Sequence, residues 1–258
     1  MRFKAIKVRL VLSSVLTVLA LSAVAVSAAQ AATAEGPFYK ITGARLASGA
    51  SKEVKAKLGS RYRFTYGDES GVEVSCGGAK FASGAKLLGS TGANFGGGEA
   101  TIEFTGCRTE GSAGLNCELT STTIKTAPLK MKLAYLSEAR TGPIAVLFEA
   151  PAGTALFEIT FSRSGNCFDQ TEQPIPASGH LVGKVEVAGK LDEVGKEPAA
   201  AKVLDITFPG GNEINEAWIE KSGALEKKKV PLIINGQDTD YNGALELEAG
   251  SAEWGIFT

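Results

Sequence analysis

The chain has 258 residues, with 27 Lys and Arg against 28 Asp and Glu, for a formal net charge of -1. Without a basic surplus it offers no field to hold phosphate backbones, which excludes nucleic acid as the expected partner. Its 31 glycines and few aromatics suit tight turns between short strands, and its length is enough for a core that does not depend on cross-links.

The N-terminus reads as a leader. Arg2, Lys4, Lys7 and Arg9 precede an apolar stretch from Leu10 to Val26, and small residues end in Ala29-Gln30-Ala31. That order predicts a secretory signal peptide over 1–31, cut after Ala31, and a single β-rich domain over 32–258. Ser13, Ser14, Thr17 and Ser22 interrupt the stretch, leaving it short of the ~20 apolar residues of a spanning helix. The expected location is therefore extracellular, with no membrane association after cleavage. Thiols oxidise there, so Cys76, Cys107, Cys117 and Cys167 are expected to form two disulfides. Four cysteines allow three pairings. The short polar segment between Cys107 and Cys117 favours that bridge and leaves Cys76 to reach Cys167.

From Val72 onward, apolar residues recur at every second position. Val72 and Val74 flank Glu73, Ile102 and Phe104 flank Glu103, and Leu129, Met131, Leu133 and Tyr135 alternate with Lys130, Lys132 and Ala134. Phe157, Ile159 and Phe161 repeat the pattern, as do Val185 with Val187, Leu204 with Ile206 and Phe208, and Leu245 with Leu247. Period two places these side chains on one face of a strand. Turn signals separate the runs at Tyr66-Gly67-Asp68, Cys76-Gly77-Gly78, Gly96-Gly97-Gly98, Pro209-Gly210-Gly211-Asn212, Asn235-Gly236 and Asn242-Gly243. The fold class is all-β: an antiparallel two-sheet sandwich or flattened barrel with meander or Greek-key connections and little or no helix beyond the leader. Asn215–Lys221 is expected to form at most two helical turns, and a long loop or sub-domain break is expected near 189–201. The echo between Ala44–Ala50 and Ala79–Ala85 is too short for a repeat architecture and reads as two strand ends sharing turn residues.

Few residue groups carry chemistry. Asp238, Asp240 and Asn242, followed by Gly243, place oxygen ligands at alternate positions like the first half of a calcium loop, but the twelfth loop position is Ala249 rather than an acid. Calcium, as a structural ion, is the only cofactor this pattern raises. Ser83 and Lys86 have the S-x-x-K spacing of penicillin-recognising enzymes, yet lie among glycines in strand territory. His180 is the only histidine and reads as a solvated loop residue. Glu246 and Glu248 could stand apart on one strand face like glycosidase carboxylates, but only Trp218 and Trp254 could serve as indole platforms. Lys227-Lys228-Lys229 reads as a solvated gatekeeper before the apolar run Val230–Ile234.

One resemblance rests on Val74-Ser75-Cys76, Phe104-Thr105-Gly106-Cys107, Cys117 with Ile124-Lys125-Thr126 and Leu129, Gly142, Phe161, and His180–Gly183 before Val185. In this order the features resemble a family of uncharacterised exported proteins from high-GC Gram-positive bacteria. The family tends to place a Cys near Phe161, whereas here Cys167 comes later. The resemblance implies a secreted β-rich fold and no assigned activity. Together these readings predict a non-enzymatic, monomeric binding or structural module with an unknown extracellular or cell-surface ligand. The alternative is a secreted hydrolase acting on polysaccharide through paired carboxylates.

Overall fold

The computed structural model describes residues 36–66, 72–90, 95–110, 117–140, 142–162, 173–187, 190–191, 201–210, 213–221 and 224–257. The expected leader, Cys167, and Gly189 and residues 192–200 of the expected break lie outside them.

In chain order the strands begin with β1 (Phe38–Ile41), β2 (Ala44–Arg45), β3 (Ser51–Glu53), β4 (Lys55–Tyr66), β5 (Val72–Phe81), β6 (Lys86–Leu88) and β7 (Gly97–Ala100). There follow β8 (Ile102–Glu110), β9 (Thr123–Lys125), β10 (Leu129–Tyr135), β11 (Ile144–Glu149), β12 (Phe157–Ile159), β13 (Ile175–Val187) and β14 (Lys190–Leu191). The last are β15 (Val203–Phe208), β16 (Glu216–Lys221), β17 (Ala224–Lys229), β18 (Leu232–Ile234), β19 (Gln237–Asp238), β20 (Asp240–Glu248) and β21 (Trp254–Phe257). Among the described residues there is no helix, so none is long and apolar enough to cross a membrane.

Several of these strands are halves of one longer stave. β3 and β4 run on into each other, and so do β5 with β6, β7 with β8, β9 with β10, and β11 with β12. In each case both halves pair with the same neighbouring stave. Between the fourth and fifth staves the ladder is carried by β10 with β11, by Ala127 N donating to Leu156 O at 2.9 Å, and by the Leu119–Phe161 bridge. The fifth stave pairs with β13, β13 with β15, β15 with β20, and β20 returns to β4. Five composite staves and these three strands make eight, each antiparallel to the next, and the last is bonded to the first. This is a closed up-and-down barrel, the flattened-barrel form of the expected architecture with meander connections.

Closure follows from the alternating pattern, because every stave turns its apolar set inward. On β20, Tyr241, Leu245 and Leu247 are buried while Asp240, Asn242, Glu246 and Glu248 are half-exposed. Tyr62, Phe64, Phe104, Phe157 and Phe208 meet inside with ring centroids 5.0 to 6.4 Å apart, and Phe148 and Tyr241 extend the cluster. Aromatic side chains therefore fill the interior. The outer wall is charged. Across neighbouring staves a row runs Glu186, Asp205, Glu246, Lys57, Lys80, Glu103, Lys125, with Lys57 3.1 Å from Glu246 and Lys125 3.2 Å from Glu103. An outer wall of this kind faces water, the reverse of a membrane barrel's apolar band.

Four features differ from the sequence reading. Asn242-Gly243 is not a turn but a bulge within β20, where the pairing with β4 shifts; Gly243 has φ 153, and the Tyr62 ring lies where a Cβ would be, 2.8 Å away. Two other expected turns are strand interior: Cys76-Gly77-Gly78 lies within β5, paired with β8, and Gly97 and Gly98 lie within β7, paired on both edges by β6 and β10. Glu216–Lys221 is a strand rather than a helical segment, because Ala217 and Ile219 alternate into a second small core. By contrast Asn235-Gly236 does make the expected hairpin turn, with φ 52 and 79. Both echoed segments end in turns at Gly49 and Gly84, ahead of the mutually paired β3 and β6.

The second core explains an excursion of the chain. Ala134, Ala145, Leu147 and Val182 are apolar residues on the outer face of the barrel, and the β16–β17 hairpin covers them with Ala217 and Ile219, joined by Ile214 and Val230. Among the described residues, only the Tyr135–Trp218 pair joins this hairpin to the barrel ladder. At one end of the barrel, β1, β2 and β21 form a separate three-stranded sheet whose Tyr39, Trp254 and Ile256 join the main core, with Gly96 N donating to Pro37 O at 2.7 Å.

Candidate functional site

The barrel ladder breaks at one place that is rich in ionisable groups. β11 ends its pairing with β13 at Glu149–His180, and β12 resumes it at Phe157–Ala177. Residues 150–155 leave the wall before Leu156 N rejoins it by donating to Ala177 O at 2.6 Å, while only Ser178 and Gly179 intervene on β13. Gly179 has φ 89, and a Cβ there would meet Pro231 O at 2.1 Å, so the chain turns sharply just before His180. Such interruptions re-aim neighbouring side chains. Beside the break lies a cavity of about 440 Å³, lined by Glu149, residues 150–155, Pro176, Ser178, Gly179 and His180.

Glu149 is the centre of this site. Its side chain is 16% exposed and accepts from Lys132 Nζ at 2.6 Å, from His180 Nε2 at 3.1 Å and from Lys228 Nζ. The His180 bond, followed by those of Lys132 and Lys228, holds the carboxyl well below the ordinary carboxylate range, against the opposing effect of burial. With Nε2 donating, the neutral imidazole has its acceptor at Nδ1, which is buried without a hydrogen-bond partner. Lys132 comes from β10 and Lys228 from the covering hairpin, so the cluster also fastens the hairpin to the wall.

Tyrosine hydroxyls are also buried in the barrel, Tyr241 and Tyr62 among them. The Tyr241 hydroxyl accepts from Val182 N at 2.7 Å and donates to Val182 O at 3.2 Å, closing the wall between the points where β15 and β18 pair with β13. Burial pushes this hydroxyl up to about 12, with the Val182 bond acting in the opposite direction. The Tyr62 hydroxyl is buried with no partner.

The residues singled out from sequence fall in different places. His180 is not a loop residue; it lies within β13 with its side chain 14% exposed. Lys228 is not merely solvated, since it reaches Glu149, while its neighbour Lys227 pairs with Glu216 at 2.5 Å. Cys76 is bonded to Cys107 rather than Cys107 to Cys117, because β5 and β8 place the first two directly opposite each other. Cys117 is itself disulfide-bonded. Asp238 ends β19, and Asp240 and Asn242 lie on extended β20, with Asn242 opposite Arg63. Extended backbone sets alternate side chains along a line rather than around a centre. Among the described residues, no three His, Cys, Asp or Glu side chains are grouped to hold a metal ion.

Glu246 and Glu248 do not face a cleft. Both reach Lys57, at 3.1 and 3.0 Å, on the outer wall. Trp254 is buried with its Nε1 donating to Lys202 O at 3.3 Å, and Trp218 is half-buried opposite Lys227. Glu149 escaped sequence reading because an acid closing the apolar run Ile144–Phe148 looks like an ordinary strand end. The available signal was the chain's one histidine, which needed a partner that only the ladder register supplies.

The fold thus defines the class, an eight-stranded up-and-down β-barrel with a hairpin laid over its outer wall. No protein-family model, curated protein or solved structure matches this chain.

Proposed function

We propose that the protein is a secreted, non-enzymatic binding module of the extracellular space or cell envelope. The observation that carries this reading is the use of its groups: aromatic side chains fill the barrel, and many charged residues of the outer wall, such as Lys57 with Glu246 and Glu103 with Lys125, are paired across strands. Such a barrel is a rigid scaffold that presents its surface and loops. The Cys76–Cys107 disulfide suits an oxidising compartment, and the leader-like N-terminus supplies a route there. The hydrolase alternative draws no support from Glu246 and Glu248, which are both tied to Lys57 on the outer wall.

The test is to incubate the exported protein, purified from culture medium, with isolated Gram-positive cell envelopes and measure cosedimentation and released reducing ends together. Saturable cosedimentation without release is the expected result. Release of reducing ends that disappears in Glu246→Gln would overturn the reading, and so would an absence of cosedimentation.

A further inference from the structure

The Glu149 cluster is unbalanced in charge. Lys132 and Lys228 both bond Glu149, and Lys130 stands directly opposite it in the ladder. Three ammonium groups against one carboxylate leave two positive charges even with His180 neutral. Glu99, across from Lys130, already pairs with Lys86 at 3.1 Å, and Glu226, two residues before Lys228 on β17, pairs with Lys221 at 2.8 Å. Lys132 and Lys228 remain 45% and 30% exposed, so each keeps donors for a group arriving from solvent. The cavity lined by Glu149 and His180, next to the carboxylate that these two lysines hold, has room for a small ligand, and Ser178 and Thr154 bring hydroxyls to its lining.

We propose that this lip of the broken ladder is a binding site for an oxyanion, a phosphate or carboxylate group carried by an envelope polymer. The proposal rests on the binding-module reading and names its site and ligand class. Lys132 and Lys228 clamp the anion as charge-assisted donors, with Glu149 spacing them apart. Lys130 adds to the attracting field, and the cavity receives the part of the ligand next to the charged group. A cation would meet a surplus of its own sign here. A neutral sugar would leave both ammonium groups uncompensated.

His180 provides a built-in reporter, because it is the only histidine in the chain and its ring resonances need no assignment. The full-length exported protein is titrated at fixed pH and ionic strength with inorganic phosphate, with sodium glucuronate and with chloride as control, following the imidazole by NMR. A saturable shift is expected with phosphate, with glucuronate or with both; a response to one alone identifies the source of the charge. Lys132→Gln with Lys228→Gln should weaken that binding about tenfold or more, whereas Lys57→Gln on the outer wall should leave it unchanged. Lys130→Gln, which touches no group in the cluster, should weaken it less and guards against a double variant whose hairpin fails to dock. A shift that is linear and equal to that of chloride, or binding indifferent to Lys130→Gln and the double variant alike, overturns the proposal. If the double variant still cosediments with envelopes as the wild type does, the anion site falls and the binding-module reading stands. If phosphate saturates the site while envelopes do not bind, the reverse holds.

Discussion

Glu149 shows how one side chain can tie two elements together and tune a local field. Its hydrogen bonds to His180, Lys132 and Lys228 favour the charged form, so the folded protein holds this carboxylate below the ordinary glutamate value. A depressed folded-state value gives stability that is present above about pH 4.3, the unfolded value, and is lost as pH falls through the folded value. Urea unfolding of the wild type should therefore weaken more steeply between about pH 5 and pH 2 than that of Glu149→Gln, which cannot titrate. Parallel pH profiles would show that the cluster does not form in solution. Tyr62 makes the opposite case, since its hydroxyl is buried with nothing to bond. Tyr62→Phe removes an unsatisfied group without changing the ring, so the expected effect is neutral to stabilising, up to about 1 kcal/mol by urea unfolding. A loss above about 2 kcal/mol would reveal a hydrogen bond at that hydroxyl.

Among the elements, the β16–β17 hairpin is the least integrated. Among the described residues it meets the barrel ladder at one residue pair and otherwise through a small apolar cluster and the Lys228–Glu149 ion pair. Its amides should exchange with solvent well before those of β4, β5 and β20. Ile219→Ala should speed hairpin exchange further, by removing a contact worth about 2 kcal/mol or more, while leaving the barrel amides unchanged. Barrel amides accelerating in step with the hairpin would show that the two unfold as one unit. The pairing of β5 with β8 makes a second prediction at this scale. Peptide mapping under non-reducing conditions should join Cys76 to Cys107, whose separation of 31 residues gives a chain-entropy contribution of about 3 to 4 kcal/mol. A Cys107–Cys117 peptide would contradict the register.

These elements also mark where sequence reasoning reaches and where it stops. Alternation shows plainly in Leu129–Tyr135, Leu204–Phe208 and Leu245–Leu247, because one face meets the core and the other meets water. It fails in Ile144–Phe148, where the hairpin covers the outer face and both sets of side chains are buried. The start of β13 was hidden by polar Ser178-Gly179-His180, a segment whose strand identity depends on pairing with β18 and β11. The disulfide and the Glu149 cluster share one obstacle. Each depends on which residues stand opposite in a ladder, and register is a property of two strands that neither encodes alone.

For the whole molecule, closure matters most. It removes the sheet edges that a two-sheet sandwich would leave open, seals an aromatic core and sends every inward-facing residue away from solvent. It also fixes the position of the Glu149 cluster, because Glu149 and His180 approach only when the fifth stave and β13 share a wall. The direct measurement is the set of cross-strand NOEs between the first and last barrel strands. The account predicts contacts joining Tyr241 to Phe64, Leu247 to Ala56 and Glu248 to Lys55. Absence of these contacts, with β20 paired only to β15, would mean an open sheet and would contradict the barrel on which the site is built.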